Sequence, residues 1–143
     1  MPDVIHCNDW PTELIPSLLT SNNVPITVKV SASIYSIHSL AYHGYSPKEL
    51  IKFVGLPEHY THPFEIEALS AVNFMKCELQ FSKKITIVCP RYSEEIKTKD
   101  QGYGLDDVLR YLADYLIGIL NGIDTKKWDP QADKLIAKNS SMK

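Results

Sequence analysis

The stretch Ile26-Thr27-Val28-Lys29-Val30, separated by three residues from Ile34-Tyr35-Ser36-Ile37, decides the fold class. Its β-branched residues favour extended backbone, so the sequence predicts one long strand from Ile26 to Ile37 that ends at His38. Strand-like apolar runs recur over residues 3–7, 84–89 and 116–120. They alternate with helix-like runs, which is typical of an α/β fold with a parallel sheet.

Apolar residues at helical spacing mark the segments between these strands. Ser46-Pro47-Lys48-Glu49 has the composition of a capping box, which predicts that a helix starts there and runs to Val54. Residues 56–67 are predicted to be loop, and residues 139–143 form a polar tail. The other predicted helices are Pro11 to Thr20, Ala68 to Phe81, Tyr92 to Lys97, Asp106 to Tyr115 and Asp133 to Lys138.

Composition limits the classes of function. The chain has 143 residues, 44% of them apolar and 22% charged, which fits one globular domain. A net charge of -2 argues against nucleic acid, and no apolar run approaches the roughly 20 residues of a membrane helix. The start of the chain lacks the features of a secretory signal. The three cysteines are therefore predicted to be thiols in a reducing compartment.

The sequence predicts no metal site. His59 and His62 are three residues apart, but no second pair of ligands follows at the spacing of a zinc finger, so a surface loop is the favoured interpretation. Glycine-rich phosphate loops of the GxGxxG and P-loop types are also missing, so this chain alone does not complete a nucleotide site.

Polar residues follow the predicted strands at their carboxyl ends, where ligands of parallel sheets collect. Asp9 is either a helix cap or an acceptor for ligand hydroxyls, and Trp10 either packs in the core or stacks on a sugar. His38 is either a structural histidine or a general acid or base. Asn121 either binds a ligand or serves the Asn-Gly turn. The residues alone leave these alternatives open.

A series of motifs in this sequence resembles bacterial glycogen synthases and plant starch synthases, and it runs in family order over nearly the whole chain. Each motif alone is weak, whereas the series is highly specific. The motifs are DVIHCNDW (residues 3–10), SIHSLAYHG (36–44), NFMK (73–76), VCPRYSEEI (88–96), GYGLD (102–106), GILNGID (118–124) and WDP (128–130).

This resemblance implies an α/β, Rossmann-like parallel sheet with flanking helices, with residues 1–143 forming part of the N-terminal domain of a two-domain B-type glycosyltransferase. The family transfers glucose from ADP-glucose to the non-reducing end of an α-1,4-glucan with retention, and the resemblance implies no cofactor and no metal. It implies a cytoplasmic protein, or a plastid protein if the source is a plant.

The family's second domain and its Lys-x-Gly-Gly loop have no counterpart here, so the chain is expected to be a truncated piece that is inactive in isolation and self-associates. The alternative is a non-catalytic glucan-binding or scaffold module derived from a starch synthase.

The resemblance also implies roles for individual residues. His38 would contact the donor glucose beside the reacting carbon, and Asp9 would act with it as a catalytic residue. Two departures from the family pattern, Asn8 in place of a histidine and Ser39 in place of an asparagine, raise the prospect of altered donor use or activity. The implied substrate-binding residues are Asn121, Trp10, Asn8 and Tyr42.

Overall fold

A parallel sheet of four strands forms the centre of the protein. The computed structural model describes residues 1–56, 67–68 and 71–141. The strands are β1 (Val4–Asn8), β2 (Ala32–Ile37), β3 (Tyr45–Ser46), β4 (Glu67–Ala68), β5 (Ala71–Asn73), β6 (Lys84–Ile87) and β7 (Leu116–Gly118). The α-helices are α1 (Ile15–Thr20), α2 (Ile26–Lys29), α3 (Glu49–Phe53), α4 (Phe74–Phe81), α5 (Pro90–Glu95) and α6 (Asp106–Tyr111).

The main sheet has the strand order β1-β2-β6-β7, and β3, β5 and β4 form a small antiparallel sheet beside it. The register places Asn8 opposite Ser36, Ser36 opposite Thr86, and Thr86 opposite Ile117. All four strands of the main sheet therefore end at one edge. The predicted α/β class with a parallel sheet and flanking helices is confirmed, and each of the four predicted strands has a counterpart in the sheet, although the second begins later than predicted.

The two faces of this sheet differ sharply because strand residues alternate in direction. Cys7, Tyr35 and Ile85 point to one side and are fully buried against α4 and α6. Val4 and His6 lie on the opposite face and are exposed. That face carries the pocket described below.

The predicted strand from Ile26 to Ile37 is wrong in its first half. Ile26–Lys29 is helix α2, and the strand begins only at Ala32. Pro25, with φ -56, precedes the helix, and its carbonyl accepts from the N–H of Val28 and of Lys29. Strand propensity depends on context, so β-branched composition alone does not exclude a helical turn.

The predicted capping box at Ser46 is also wrong. Ser46 pairs with Val72 in the small antiparallel sheet, the N-cap of α3 is Lys48, and no side chain caps this helix, which starts at Glu49. The predicted helix from Ala68 to Phe81 is confirmed only over α4. Its first residues form strands β4 and β5, and the Asn73 side chain caps α4 by accepting from the N–H of Lys76 at 2.9 Å.

Two further helix predictions need correction. The helix predicted over Pro11 to Thr20 is split into a 3-10 helix at Trp10–Thr12 and α1, because Pro16 has no N–H and is tolerated only in a first turn. The helix predicted over Asp133 to Lys138 is not formed. There the Asp133 carboxylate accepts from the N–H of Leu135, a local bond that competes with helix. The predicted loop over 56–67 lies largely outside the described residues.

Candidate functional site

Asp9 joins the carboxyl ends of β1 and β2. Its Oδ1 accepts from the backbone N–H of His38 at 2.7 Å and of Ser39 at 3.3 Å. Its own backbone has φ 48, a left-handed conformation that non-glycine residues adopt rarely. The carboxylate makes no capping bond to the 3-10 helix that follows, so the capping alternative is not what the structure shows. Asp9 instead fixes where the chain leaves β2.

Asn8 holds the side chain of His38. The Asn8 Oδ1 atom lies 3.1 Å from His38 Nε2. Thr12 secures Asn8 in turn, because its hydroxyl accepts from the Asn8 N–H at 2.8 Å and lies 3.2 Å from the Asn8 carbonyl oxygen. These contacts connect the two predicted site residues Asn8 and His38 directly.

A pocket of about 350 Å³ opens on the exposed face of the sheet. Asn8, His38 and Asn121 all contribute to its lining, and Asn121 reaches it from beyond β7 at the opposite side of the sheet. Its volume falls within the range of small-molecule sites. The pocket lining also includes apolar side chains, such as Ile34 and Ile119.

A polar row crosses the floor of this pocket. His6 Nε2 lies 2.6 Å from Ser36 Oγ, which lies 2.5 Å from Thr86 Oγ1 on the next strand. None of these three residues was predicted from the sequence to be a site residue. Two of them could have been predicted from their spacing. His6 is two residues before Asn8 and Ser36 is two residues before His38, and residues two apart in a strand point to the same face of the sheet.

Trp10 and Tyr42 line a second depression, of about 450 Å³, together with residues 41, 43 and 44. Trp10 is 54% exposed and Tyr42 is 65% exposed. The core alternative for Trp10 is therefore wrong. Two exposed aromatic rings in one depression form a surface on which a sugar ring can stack.

Beneath the site lie two buried carboxyl groups that the sequence analysis missed. Glu13 is 1% exposed and Glu78 is 0% exposed, and no N–H or O–H group of the described residues bonds their carboxyl oxygens, although the Cys7 thiol hydrogen-bonds Glu78. Burial, and then the charge of Asp9, raises the pKa of Glu13 to about 8. Burial, and then the charge of Glu13, raises the pKa of Glu78 to about 9. Both groups are therefore held neutral at pH 7.

No group of three or more His, Cys, Asp or Glu residues could hold a metal ion within residues 1–56, 67–68 and 71–141. His59 and His62 lie outside these described ranges. In the same part of the chain, no helix is both long and apolar enough to cross a membrane. The three cysteines are thiols, with Cys7 and Cys77 buried.

The family model for the starch synthase catalytic domain matches residues 1–111. The chain belongs to this family. The glycogen synthase of Myxococcus xanthus (strain DK1622) is 41% identical across the whole chain, which covers 30% of that protein. The glycogen synthase of Aquifex aeolicus (strain VF5) is 45% identical over 98% of the chain, which covers 29% of that protein. The resemblance seen in the sequence is confirmed.

A solved structure agrees with this assignment. The catalytic domain of starch synthase IV from Arabidopsis thaliana, bound to ADP and acarbose, matches 97% of the chain with a TM-score of 0.81 and 30% identity. The chain covers 29% of that structure. This starch synthase family member therefore spans less than a third of each of these three proteins. The roles of Asp9, His38 and the substrate-binding residues stay predictions.

Proposed function

We propose that this chain contributes part of the site of an enzyme that transfers glucose from ADP-glucose to the non-reducing end of an α-1,4-glucan. The observation that carries the proposal is the pocket shared by Asn8, His38 and Asn121 at one edge of a parallel sheet. β2 and β7 are two strand spacings apart, about 10 Å, which leaves room for a hexose between His38 and Asn121.

In this proposal each residue has a distinct task. His38 contacts the donor glucose beside the reacting carbon, and Asn121 hydrogen-bonds a glucose hydroxyl. Asp9 holds the backbone of His38 in place through its two amide contacts. Trp10 and Tyr42 offer the acceptor glucan an aromatic surface. Such a transfer depends on positioning and on stabilising developing charge, and we propose that it needs no metal or other cofactor.

The diphosphate of the donor requires positive charge that this pocket lacks. Its described lining holds no lysine and no arginine. The chain also spans only 26–30% of the glycogen synthases it matches. We therefore expect no glucosyl transfer by the 143-residue chain alone, and measurable ADP-glucose turnover by it would contradict this expectation.

A chimera tests the proposal on a complete enzyme. In the glycogen synthase of Aquifex aeolicus, this chain replaces the segment it matches, and transfer of labelled glucose from ADP-glucose to glycogen is measured. We expect activity that is lost on His38→Ala and on Asn121→Ala. The matched control is Asn22→Ala, because Asn22 is exposed in the turn after α1 and lines neither the pocket nor the second depression.

Two outcomes would count against these roles. A chimera that melts cooperatively but transfers no glucose would contradict the function. An active chimera with an unchanged rate after His38→Ala would remove His38 from the site. Circular dichroism melting of each variant separates loss of function from loss of fold.

The exposed pair Trp10 and Tyr42 favours a second candidate, a glucan-binding or scaffold module without catalysis. Retardation of the chain in native gels that contain glycogen tests it. If this candidate is correct, binding is lost on Trp10→Ala and kept on Trp128→Ala, since Trp128 is similarly exposed but lies in the C-terminal segment. Migration unaffected by glycogen would argue against the module.

The exposed sheet face indicates how the isolated chain behaves. Val4, Ile117 and Ile119 are exposed there, although parallel sheets are normally covered on both faces. We propose that the isolated chain self-associates through this face, and a monomer that is independent of concentration in sedimentation would contradict it.

We propose that the parent enzyme is located in the cytoplasm, or in the plastid of a plant source.

A further inference from the structure

The side chain of His38 has a defined neighbour on the adjacent strand. Asn8 lies opposite Ser36 in the register of β1 and β2, so Asn8 and His38 point to the same face, one diagonal step apart. Asn8 Oδ1 lies 3.1 Å from His38 Nε2. An amide oxygen only accepts hydrogen bonds, so this contact requires the proton of His38 to be on Nε2.

The partners of His38 are held in place before any ligand binds. Thr12 bonds both backbone polar groups of Asn8, and Asp9 binds the amides of His38 and Ser39. The backbone positions of Asn8 and His38 are therefore fixed independently of the contact between the Asn8 amide and the imidazole. What that contact adds is the orientation of the ring and the position of its proton.

We propose that Asn8 is a positioning residue that fixes the orientation of the His38 ring, with the proton on Nε2 donated to the Asn8 amide oxygen. The consequence for glucosyl transfer rests on the proposed function. A neutral amide adds no charge that would favour the imidazolium, whereas a carboxylate at the same place would favour it. The Asp9 carboxylate directs Oδ1 to the backbone amides of His38 and Ser39, and His6 is the other titratable side chain in the pocket lining.

Nuclear magnetic resonance of the chain, with its histidine rings labelled by ¹⁵N, tests the proposal. The His38 signals are assigned from the spectrum of His38→Gln. In the unmodified chain we expect the tautomer with the proton on Nε2, and we expect the signal of that proton to broaden through exchange with water in Asn8→Leu.

The isosteric change Asn8→Asp gives the second measurement. It places a negative charge beside the ring, and we expect the midpoint of the His38 titration to move upward by about one pH unit, the lower end for an opposite charge within about 4–6 Å. The matched control is Asn22→Asp, which adds the same charge at an exposed turn residue outside the pocket lining and is expected to leave the midpoint unchanged.

Each result decides the matter. A dominant Nδ1–H tautomer, or an equal shift in Asn8→Asp and Asn22→Asp, would overturn the role of Asn8 without touching the proposed function. In the chimeric synthase, Asn8→Asp is expected to move the His38 limb of the kcat profile against pH by the same unit. If the chimera is active but insensitive to His38→Ala, the catalytic consequence is lost while the spectroscopic pairing still stands.

Discussion

The buried carboxyl groups of Glu13 and Glu78 make the stability of this protein depend on pH in an unusual direction. Their pKa values rise from an ordinary value of 4.5 to about 8 and about 9 on folding. Each group therefore binds its proton in the folded chain over a range where the unfolded chain has released it. The contribution to stability is fully present below pH 4.5 and is lost as the pH rises to about 8 for Glu13 and about 9 for Glu78.

The magnitude follows from the size of the shift. One pKa unit corresponds to about 1.4 kcal/mol, and pH 7 lies above the ordinary value of both groups and below their folded values. At pH 7 each buried carboxyl group should therefore cost about 3 kcal/mol of folding free energy relative to pH 4. Glutamine resembles the protonated carboxyl group in shape and does not ionise. We expect Glu13→Gln and Glu78→Gln each to stabilise the chain at pH 7 by up to this amount.

Urea unfolding at several pH values between 5 and 8 measures the effect. The gain in free energy of unfolding for Glu13→Gln should increase with pH, by about 1.4 kcal/mol per unit in the middle of this range. Glu49→Gln serves as the control because Glu49 is exposed on α3, and it should change the free energy of unfolding little at any pH. A gain that does not vary with pH, or a loss of stability at pH 7, would refute the reasoning.

Three further changes test other parts of the structure. Gly44→Ala should destabilise the chain by about 1–2 kcal/mol in thermal unfolding, because Gly44 has φ +58 and a Cβ there would collide with a buried carboxyl group, whereas Gly122→Ala has open space and should be neutral. Asp9→Ala should cost about 1.5–3 kcal/mol and speed hydrogen exchange of the two amides that its carboxylate binds, and unchanged exchange would contradict its role. Burial raises the pKa of the Cys7 thiol to about 11, so iodoacetamide at pH 8 should modify half-buried Cys89 first and Cys7 only on unfolding, as peptide mass mapping would show.

Strands and the edge they share were predictable from sequence because both depend on local patterns. The run over 84–89 contains the strand β6, Lys84–Ile87, of which Ile85 and Ile87 are buried, and Pro90 begins the helix after it. Parallel strands bring their carboxyl ends together whatever their order, so His38 and Asn121 could be placed at one edge before the order was known. The local signals failed where a distant partner decided the outcome, as when Ser46 paired with Val72.

The polar contacts within the site were beyond local reasoning for a related reason. Asp9 had two plausible uses in the sequence, and capping is the commoner one for an aspartate before a helix. The register of β1 and β2 decides between them, because it places the His38 amide within reach of the Asp9 carboxylate. The packing of distant segments also buries Glu13, which precedes α1, and Glu78, which lies on α4, although neither residue type is usual in a core.

Asp9 also shows why the strand ends and the buried carboxyl groups belong to one arrangement. Its charge is the second cause, after burial, of the raised pKa of Glu13, four residues along the chain. Ionisation of Glu13 would place a second negative charge near the carboxylate that orders the His38 backbone. A neutral Glu13 therefore preserves the geometry of the strand ends, and Glu13→Gln should leave the amide contacts of Asp9 intact while it stabilises the fold. Faster exchange of the His38 amide in that variant would show that Glu13→Gln disturbs the amide contacts of Asp9.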